Sequence, residues 1–214
     1  MKIAIFGSSG HARDIADIAI DNGYKNIVFL TADDGLNSFC GHPVEMDTND
    51  TVARLKGEGY HFAIGIGSCN IRRRIAERYP TLEYPSMRHS SVTLGNCQAP
   101  NLNQMQGTII SAGSRITNNV TLGDFCFLGV NTIVGHDCIV ENFSSLMPAT
   151  AISGNVHIKQ NAYIGCNASI RQGTADDKLI IGEGAVIGMG AVVLGNVPDG
   201  HTALGVPAKF KATT

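Results

Sequence analysis

From position 110 to position 170 the chain reads ISAGSRITNNVTLGDFCFLGVNTIVGHDCIVENFSSLMPATAISGNVHIKQNAYIGCNASI. Every sixth residue, Ile110, Ile116, Leu122, Leu128, Val134, Val140, Leu146, Ile152, Ile158, Ile164 and Ile170, is aliphatic. With aliphatics near a quarter of all residues, chance agreement is on the order of one in a million. Four residues after each comes a second column, running from Ser114 through Cys126, Cys138 and Ala162 to Thr174, and all of it is small or β-branched. A helix repeats every ~3.6 residues and a strand every ~2, so neither produces a strict six. Short strands joined by tight corners do. Three strands make one triangular coil, and like positions then stack in parallel ladders about every 18 residues. The spacing therefore predicts that Leu128 stacks on Leu146. Asn118-Asn119, Gly123, Gly135, Gly154-Asn155 and Gly165 fall at the corners, where such residues are favoured.

The period breaks after Ile170, and the next matches are Ile181, Ile187 and Val193. That step holds five residues beyond one hexad, which predicts a protruding loop within 174–180. Leu94-Gly95-Asn96 reads as a first corner, and the stretch 97–107 is irregular and out of phase.

Before the repeats lies a different pattern. Lys2-Ile3-Ala4-Ile5-Phe6 reads as a buried strand, Gly7-Ser8-Ser9-Gly10 as a glycine turn, and Ile15, Ile18 and Ala19 recur at helical spacing up to a stop at Asn22-Gly23. Ile27–Leu30 and Phe62–Ile66 read as further strands, and 71–78 as a basic helix. Residues 1–85 are thus expected to form a small parallel α/β domain with its ligand at the carboxyl ends of the strands, and 86–214 a β-helix. Backbone N–H groups of the GSSGHA turn can hold a pyrophosphate at a helix N-terminus, or the turn can simply join strand to helix. Asp33-Asp34 can accept hydrogen bonds from a ribose or a uracil imide, or form a plain polar turn. Arg72-Arg73-Arg74 reads most simply as a solvated helix face, with a phosphate contact as the alternative, and His42 and His61 as surface residues.

With 16 basic and 18 acidic residues there is no global field to attract nucleic acid. No apolar tract is long enough to span a membrane, and the opening residues do not form a signal peptide. Six cysteines without a C-x-x-C pair point to a reducing, cytoplasmic setting and away from a structural zinc. His136 and His157, 21 residues apart, do not fall in one stacked column, which argues against a metal-dependent hydratase.

The hexads, with Gly205-Val206-Pro207-Ala208-Lys209 as a closing tail, resemble the hexapeptide-repeat acyltransferases. The GxSGHA turn, the acidic residues after the second strand and the AIG segment running to Ile71-Arg72 narrow that resemblance. They are similar to bacterial sugar acetyltransferases, including N-acetyltransferases of UDP-4-amino-4,6-dideoxy sugars (as in bacillosamine synthesis) and sialic acid O-acetyltransferases. The resemblance implies a Rossmann-like α/β domain followed by a left-handed parallel β-helix, acetyl-CoA as co-substrate without a metal, and a homotrimer with sites between subunits. It also implies UDP at Ser9, Gly10, His11, Asp33, Asp34 and Gly67. The coenzyme is expected along Ser145, Gly154, Cys166, Gly188 and Met189, with Lys209 and Lys211 near its phosphates. Ser145 stands where the family often has a coenzyme-contacting His, and Gly129 where it often has an Asn, with Asn131 nearby.

Val134-Gly135-His136-Asp137-Cys138 is the corner that carries a titratable pair. Acetyl transfer to an amine needs a base, and histidine suits that work near neutrality. Neighbouring residues seldom pair well, so Asp137 can be expected either to orient His136 or to address another group. Cys126 and Cys138 fall in the inward column and out of substrate reach. The oxyanion needs a backbone donor, and the resemblance implies one near Gly154. N-acetylation of a UDP-4-amino sugar and O-acetylation of a sialic acid both remain compatible with these residues.

Overall fold

A computed structural model describes residues 1–33, 35–96, 98 and 104–212. Its first part alternates β1 (Lys2–Phe6), α1 (Gly10–Asp21), β2 (Asn26–Thr31), β3 (Ser38–Phe39), β4 (His42–Met46), α2 (Asn49–Gly57), β5 (His61–Ile64) and α3 (Cys69–Arg78). The hairpin β3–β4 and helix α2 were not legible in the sequence. The sheet order is β3-β4-β2-β1-β5, with β4, β2, β1 and β5 parallel. Both faces of the central strands are covered, which is why β1 is apolar at consecutive positions. Ile3 and Ile5 pack with Ile15 and Ile18 of α1, while Ala4 and Phe6 pack with Val52 and Leu55 of α2. The connections run outward from β1 through β2 and β4 on one side and then cross to β5 on the other, and the loops after β1 and β5 flank the crevice at that switch point. Gly7 takes φ +107 there, and a Cβ on it would stand 2.8 Å from the Gly65 carbonyl oxygen.

The second part is a prism of three parallel ladders. One stacks the strands at 109–110, 127–128, 145–146, 163–164 and 186–187; the second those at 115–116, 133–134, 151–152, 169–170 and 192–193; the third those at 121–122, 139–140, 156–158 and 179–181. Leu128 pairs with Leu146 as the spacing predicts. The aliphatic column and its small partners fill the interior, with Ile116, Leu128, Leu146 and Ile152 among the most buried side chains. Corner chemistry separates into two positions. The third residue after each aliphatic from Ile110 to Ile164 takes a left-handed conformation, as at Asn119, Asn131, Asp137, Asn155 and Asn167. Gly135, directly after Val134, instead meets the next coil closely: a Cβ there would stand 2.6 Å from the Gly154 nitrogen.

The irregularities have simple geometry. Leu94 pairs with Ile116 and Arg88 with Ile110, each 22 residues apart, so the first coil holds four residues beyond 18. Most of the out-of-phase stretch 97–107 lies outside the described residues; Gln98, which is described, plugs the end of the prism through paired hydrogen bonds with Val120 (2.6 and 2.9 Å). Ile158 pairs with Ile181, 23 residues on, which leaves the five-residue insert where the sequence predicts it. At the far end, His201–Leu204 and Lys209–Ala212 form an antiparallel hairpin that closes the helix.

The two parts are packed together. Ile109 and Phe127 of the first ladder join the cluster under α1, and Phe125 and Phe143 join the one under α3.

Candidate active site

His136 and Asp137 lie on the edge between the second and third ladders. Nδ1 of His136 stands 2.7 Å from Oδ2 of Asp137. Adjacent residues achieve this because Asp137 is the left-handed corner residue (φ 61), which turns its side chain back over the preceding ring. Asp137 Oδ1 accepts a 2.6 Å bond from Nδ2 of Asn119, the left-handed residue one coil earlier. The Asn119 amide first, and then His136, hold the Asp137 carboxyl below its ordinary value. An ionised carboxylate only accepts hydrogen bonds, so Nδ1 carries a proton, and in the neutral ring Nε2 then presents the lone pair. The ring overlies the next coil: a Cβ on Gly154 would lie 2.5 Å from Nε2.

The insert returns to this edge. Gly173 N–H donates to the Gly154 carbonyl (3.1 Å), Leu179 N–H to the Asn155 carbonyl (3.1 Å), and the Lys178 ammonium to the Asp137 carbonyl. No signal in the sequence marked Lys178. A second pair, His157 Nε2 and Glu141 Oε1 at 2.6 Å, belongs to the third ladder and the following edge.

The expected coenzyme residues do not gather in one chain. Gly154 shares the His136 edge, whereas Cys166, Gly188 and Met189 lie on the edge between the first and second ladders, with Gly129 and Asn131. Met189 is 78% exposed. Ser145 contradicts its expected role near the coenzyme: it is fully buried, and its Oγ accepts from Arg72 (2.9 Å) and Cys69 (3.3 Å). Its strand position faces outward from the prism, but α3 covers that face.

In the first part, Ser9 and Gly10 are exposed at the start of α1, and the Ser9 hydroxyl caps no amide. The Asp33 amide donates to Thr31 Oγ1, and its carboxylate accepts from Gly35 N–H at 3.0 Å; Asp34 lies outside the described residues. Gly67 follows β5 across the crevice. His11 is half-buried with its ring edge on Phe127, 4.1 Å between centroids, and among the described residues Nε2 has no hydrogen-bond partner. Burial first, and the Arg72 charge second, push its pKa down to about 4. His61 is not a free surface residue, since Nδ1 stands 2.7 Å from the Tyr24 hydroxyl. Arg72 overturns its reading as a solvated residue: it is 3% exposed and hydrogen-bonded to both parts of the chain. Arg73 does face solvent, paired with Glu77.

Residues 2–79 match the family described as PglD N-terminal domain. The acetyltransferase domain of PglB from Neisseria gonorrhoeae FA1090, solved in complex with acetyl coenzyme A, aligns over 97% of this chain and 98% of its own at 30% identity and TM-score 0.84. The chain belongs to the hexapeptide-repeat sugar acetyltransferases. A GDP-perosamine N-acetyltransferase from Escherichia coli O157:H7 is 35% identical over 157 residues; the match takes in 70% of this chain, which spans just under two thirds (66%) of that relative. PerB from Caulobacter crescentus, solved with CoA and GDP-perosamine, shares the fold at TM-score 0.86 and 24% identity over 99% of this chain. The β-helix of this sugar acetyltransferase family is left-handed, as the resemblance implied.

Proposed function

We propose that this protein transfers the acetyl group of acetyl-CoA to the 4-amino group of a UDP-linked 4-amino-4,6-dideoxy-N-acetyl sugar destined for a bacterial glycan. The coarser reading, N-acetylation of a nucleotide-linked amino sugar, rests on the family and on the GDP-perosamine N-acetyltransferase relative. The observation that carries the reading is the His136–Asp137 pair on an exposed edge, with Nε2 lying over Gly154.

In this reading the amine attacks the thioester carbonyl, a C–N bond forms and the C–S bond breaks. His136 Nε2 takes the amine proton and returns it to the departing coenzyme sulfur. Asp137 fixes the tautomer and stabilises the imidazolium. The N–H of Gly154 has no acceptor among the described residues and is the proposed oxyanion donor. The coenzyme would run along Gly154 of one subunit and Cys166, Gly188 and Met189 of another, with its phosphates near Lys209 and Lys211. Two edges of one prism cannot meet, so this needs a second subunit, and the assembly we propose is a homotrimer with shared sites; exposed Val130 and Ile133 beside those edges favour association. Ser9, Gly10, His11, Asp33 and Gly67 would hold the UDP, within a domain of residues 1–85 that precedes the acyltransferase domain 86–214. A cytoplasmic setting fits the free thiols.

Acetyl-CoA consumption measured across UDP- and GDP-linked 4-amino sugars, with free sialic acid as the hydroxyl acceptor, tests the reading. Turnover restricted to a UDP-amino sugar supports it. Preference for the GDP sugar would change the nucleoside, and turnover on sialic acid alone would overturn N-acetylation.

A further inference from the structure

Arg72 carries a charge that neither solvation nor acetyl transfer accounts for. Its Nε donates to the Phe125 carbonyl (3.0 Å), Nη1 to the carbonyls of Ile66 (3.1 Å) and Gly67 (3.2 Å), and Nη2 to the Phe143 carbonyl (2.7 Å) and Ser145 Oγ (2.9 Å). The acceptors fall into two sets. Ile66 and Gly67 form the loop after β5; Phe125 and Phe143 are left-handed corner residues on successive coils of the β-helix, and their rings stack 5.1 Å apart. One side chain therefore bolts the glycine loop of the first part to a fixed edge of the second. Every partner is neutral, and among the described residues no carboxylate forms an ion pair with it.

A buried cation without an anion is costly, and a flat face of apolar side chains would join the two parts at less cost. The planar fork of arginine supplies two things such a face cannot: fixed directions to acceptors on both sides, and a net positive charge. That charge reaches the start of α1, where it is one of the two causes acting on His11. The N-termini of α1 and α3 lie at the crevice between β1 and β5, so their amide groups and this cation favour one kind of occupant, an anion.

We infer that Arg72 is a positioning residue for the sugar nucleotide, holding the Gly67 loop in register with the β-helix and providing the uncompensated positive charge beneath the diphosphate. This role rests on the sugar-nucleotide reading proposed above. It is separable from catalysis, because Arg72 contacts the edge between the third and first ladders, not the one that carries His136.

The test uses the full chain with UDP, GDP and acetyl-CoA as titrants in calorimetry, for the wild type, Arg72→Gln and Arg72→Lys. Losing a charged hydrogen-bonding partner from a buried network should weaken diphosphate binding by roughly tenfold or more in Arg72→Gln. Arg72→Lys, which keeps the charge but not the fork, should fall between Arg72→Gln and the wild type. Acetyl-CoA affinity should change less than about twofold in both, and KM for the sugar nucleotide should rise while kcat holds. Diphosphate affinity equal to wild type in both variants, or equal losses for diphosphate and acetyl-CoA, overturns the role and leaves the sugar-nucleotide reading standing. Should Arg72→Gln fail to fold, Arg72→Lys decides by the same comparison. A wild type that binds neither diphosphate overturns the underlying reading, and the role falls with it.

Discussion

Nδ1 of His136 is held 2.7 Å from the carboxylate of the residue that follows it, Asp137, because that residue occupies the left-handed corner. The arrangement is local to one corner, yet Asn119 from the coil before and Lys178 from the insert after both fasten it. If His136 is the base, His136→Ala should lower kcat by roughly 10²–10⁴. The far-ultraviolet dichroism should not change, because the side chain is 63% exposed. Asp137→Asn should lose less. A His136→Ala protein with near-normal turnover would remove this corner from the chemistry.

Gly154 is a second, independent handle on the ring. It lies outside the left-handed region, so alanine costs little in backbone strain, but its Cβ would stand 2.5 Å from Nε2 of His136. Gly154→Ala should displace the imidazole and lower kcat by at least about tenfold, with the thermal midpoint nearly unchanged. Loss of stability without loss of turnover would contradict this placement.

Asn119 lowers the pKa of Asp137. Its amide is the largest cause of the depressed carboxyl pKa, ahead of His136. A carboxyl so lowered stays ionised as the pH falls past its ordinary value and is protonated only below it. The interactions that favour the ionised form are lost as pH drops through that lowered point. Asn119→Ala should therefore move the Asp137 titration upward, read by carbon NMR of its side-chain carboxyl. An unchanged midpoint would mean that the Asn119 contact is absent in solution.

His11 makes its own contribution to acid stability. Its folded pKa of about 4 lies below the ordinary 6.5, so the unfolded chain binds more protons between those values. Stability should be fully retained above about 6.5, fall as pH drops, and lose up to roughly 3 kcal/mol by about pH 4. Denaturant midpoints at pH 7 and pH 5 should differ less in His11→Leu than in the wild type. Equal differences would show that His11 is not buried neutral.

Lys178 ties the insert to the Asp137 corner. Lys178→Met should speed amide hydrogen exchange at Gly173 and Leu179, whose N–H groups bond to the Gly154 and Asn155 carbonyls. Exchange there as slow as in the wild type would mean that the backbone bonds hold the insert alone.

The hexad column determined the prism by itself. A strict six-residue aliphatic repeat leaves one way to bury Leu128 against Leu146, and the 11-residue step after Ile170 located the insert. The strands β1, β2 and β5 were equally plain, because their apolar runs are covered on both faces. Weak, short elements were not: β3 and β4 alternate only partly, and α2 owes its place to Val52 and Leu55 packing on a sheet that local sequence does not show. The candidate base was legible because a titratable pair at a corner stands out against small residues. Its partner geometry was not, since it depends on a left-handed φ at Asp137 and on residues 18 and 41 positions away in the chain. Arg72 and Ser145 went furthest astray. A basic triplet on a helix reads as solvated, and a family position that often meets the coenzyme reads as accessible, until the docking of the two parts covers both. Periodicity records which residues point into their own element's core, whereas burial between two elements depends on how they dock.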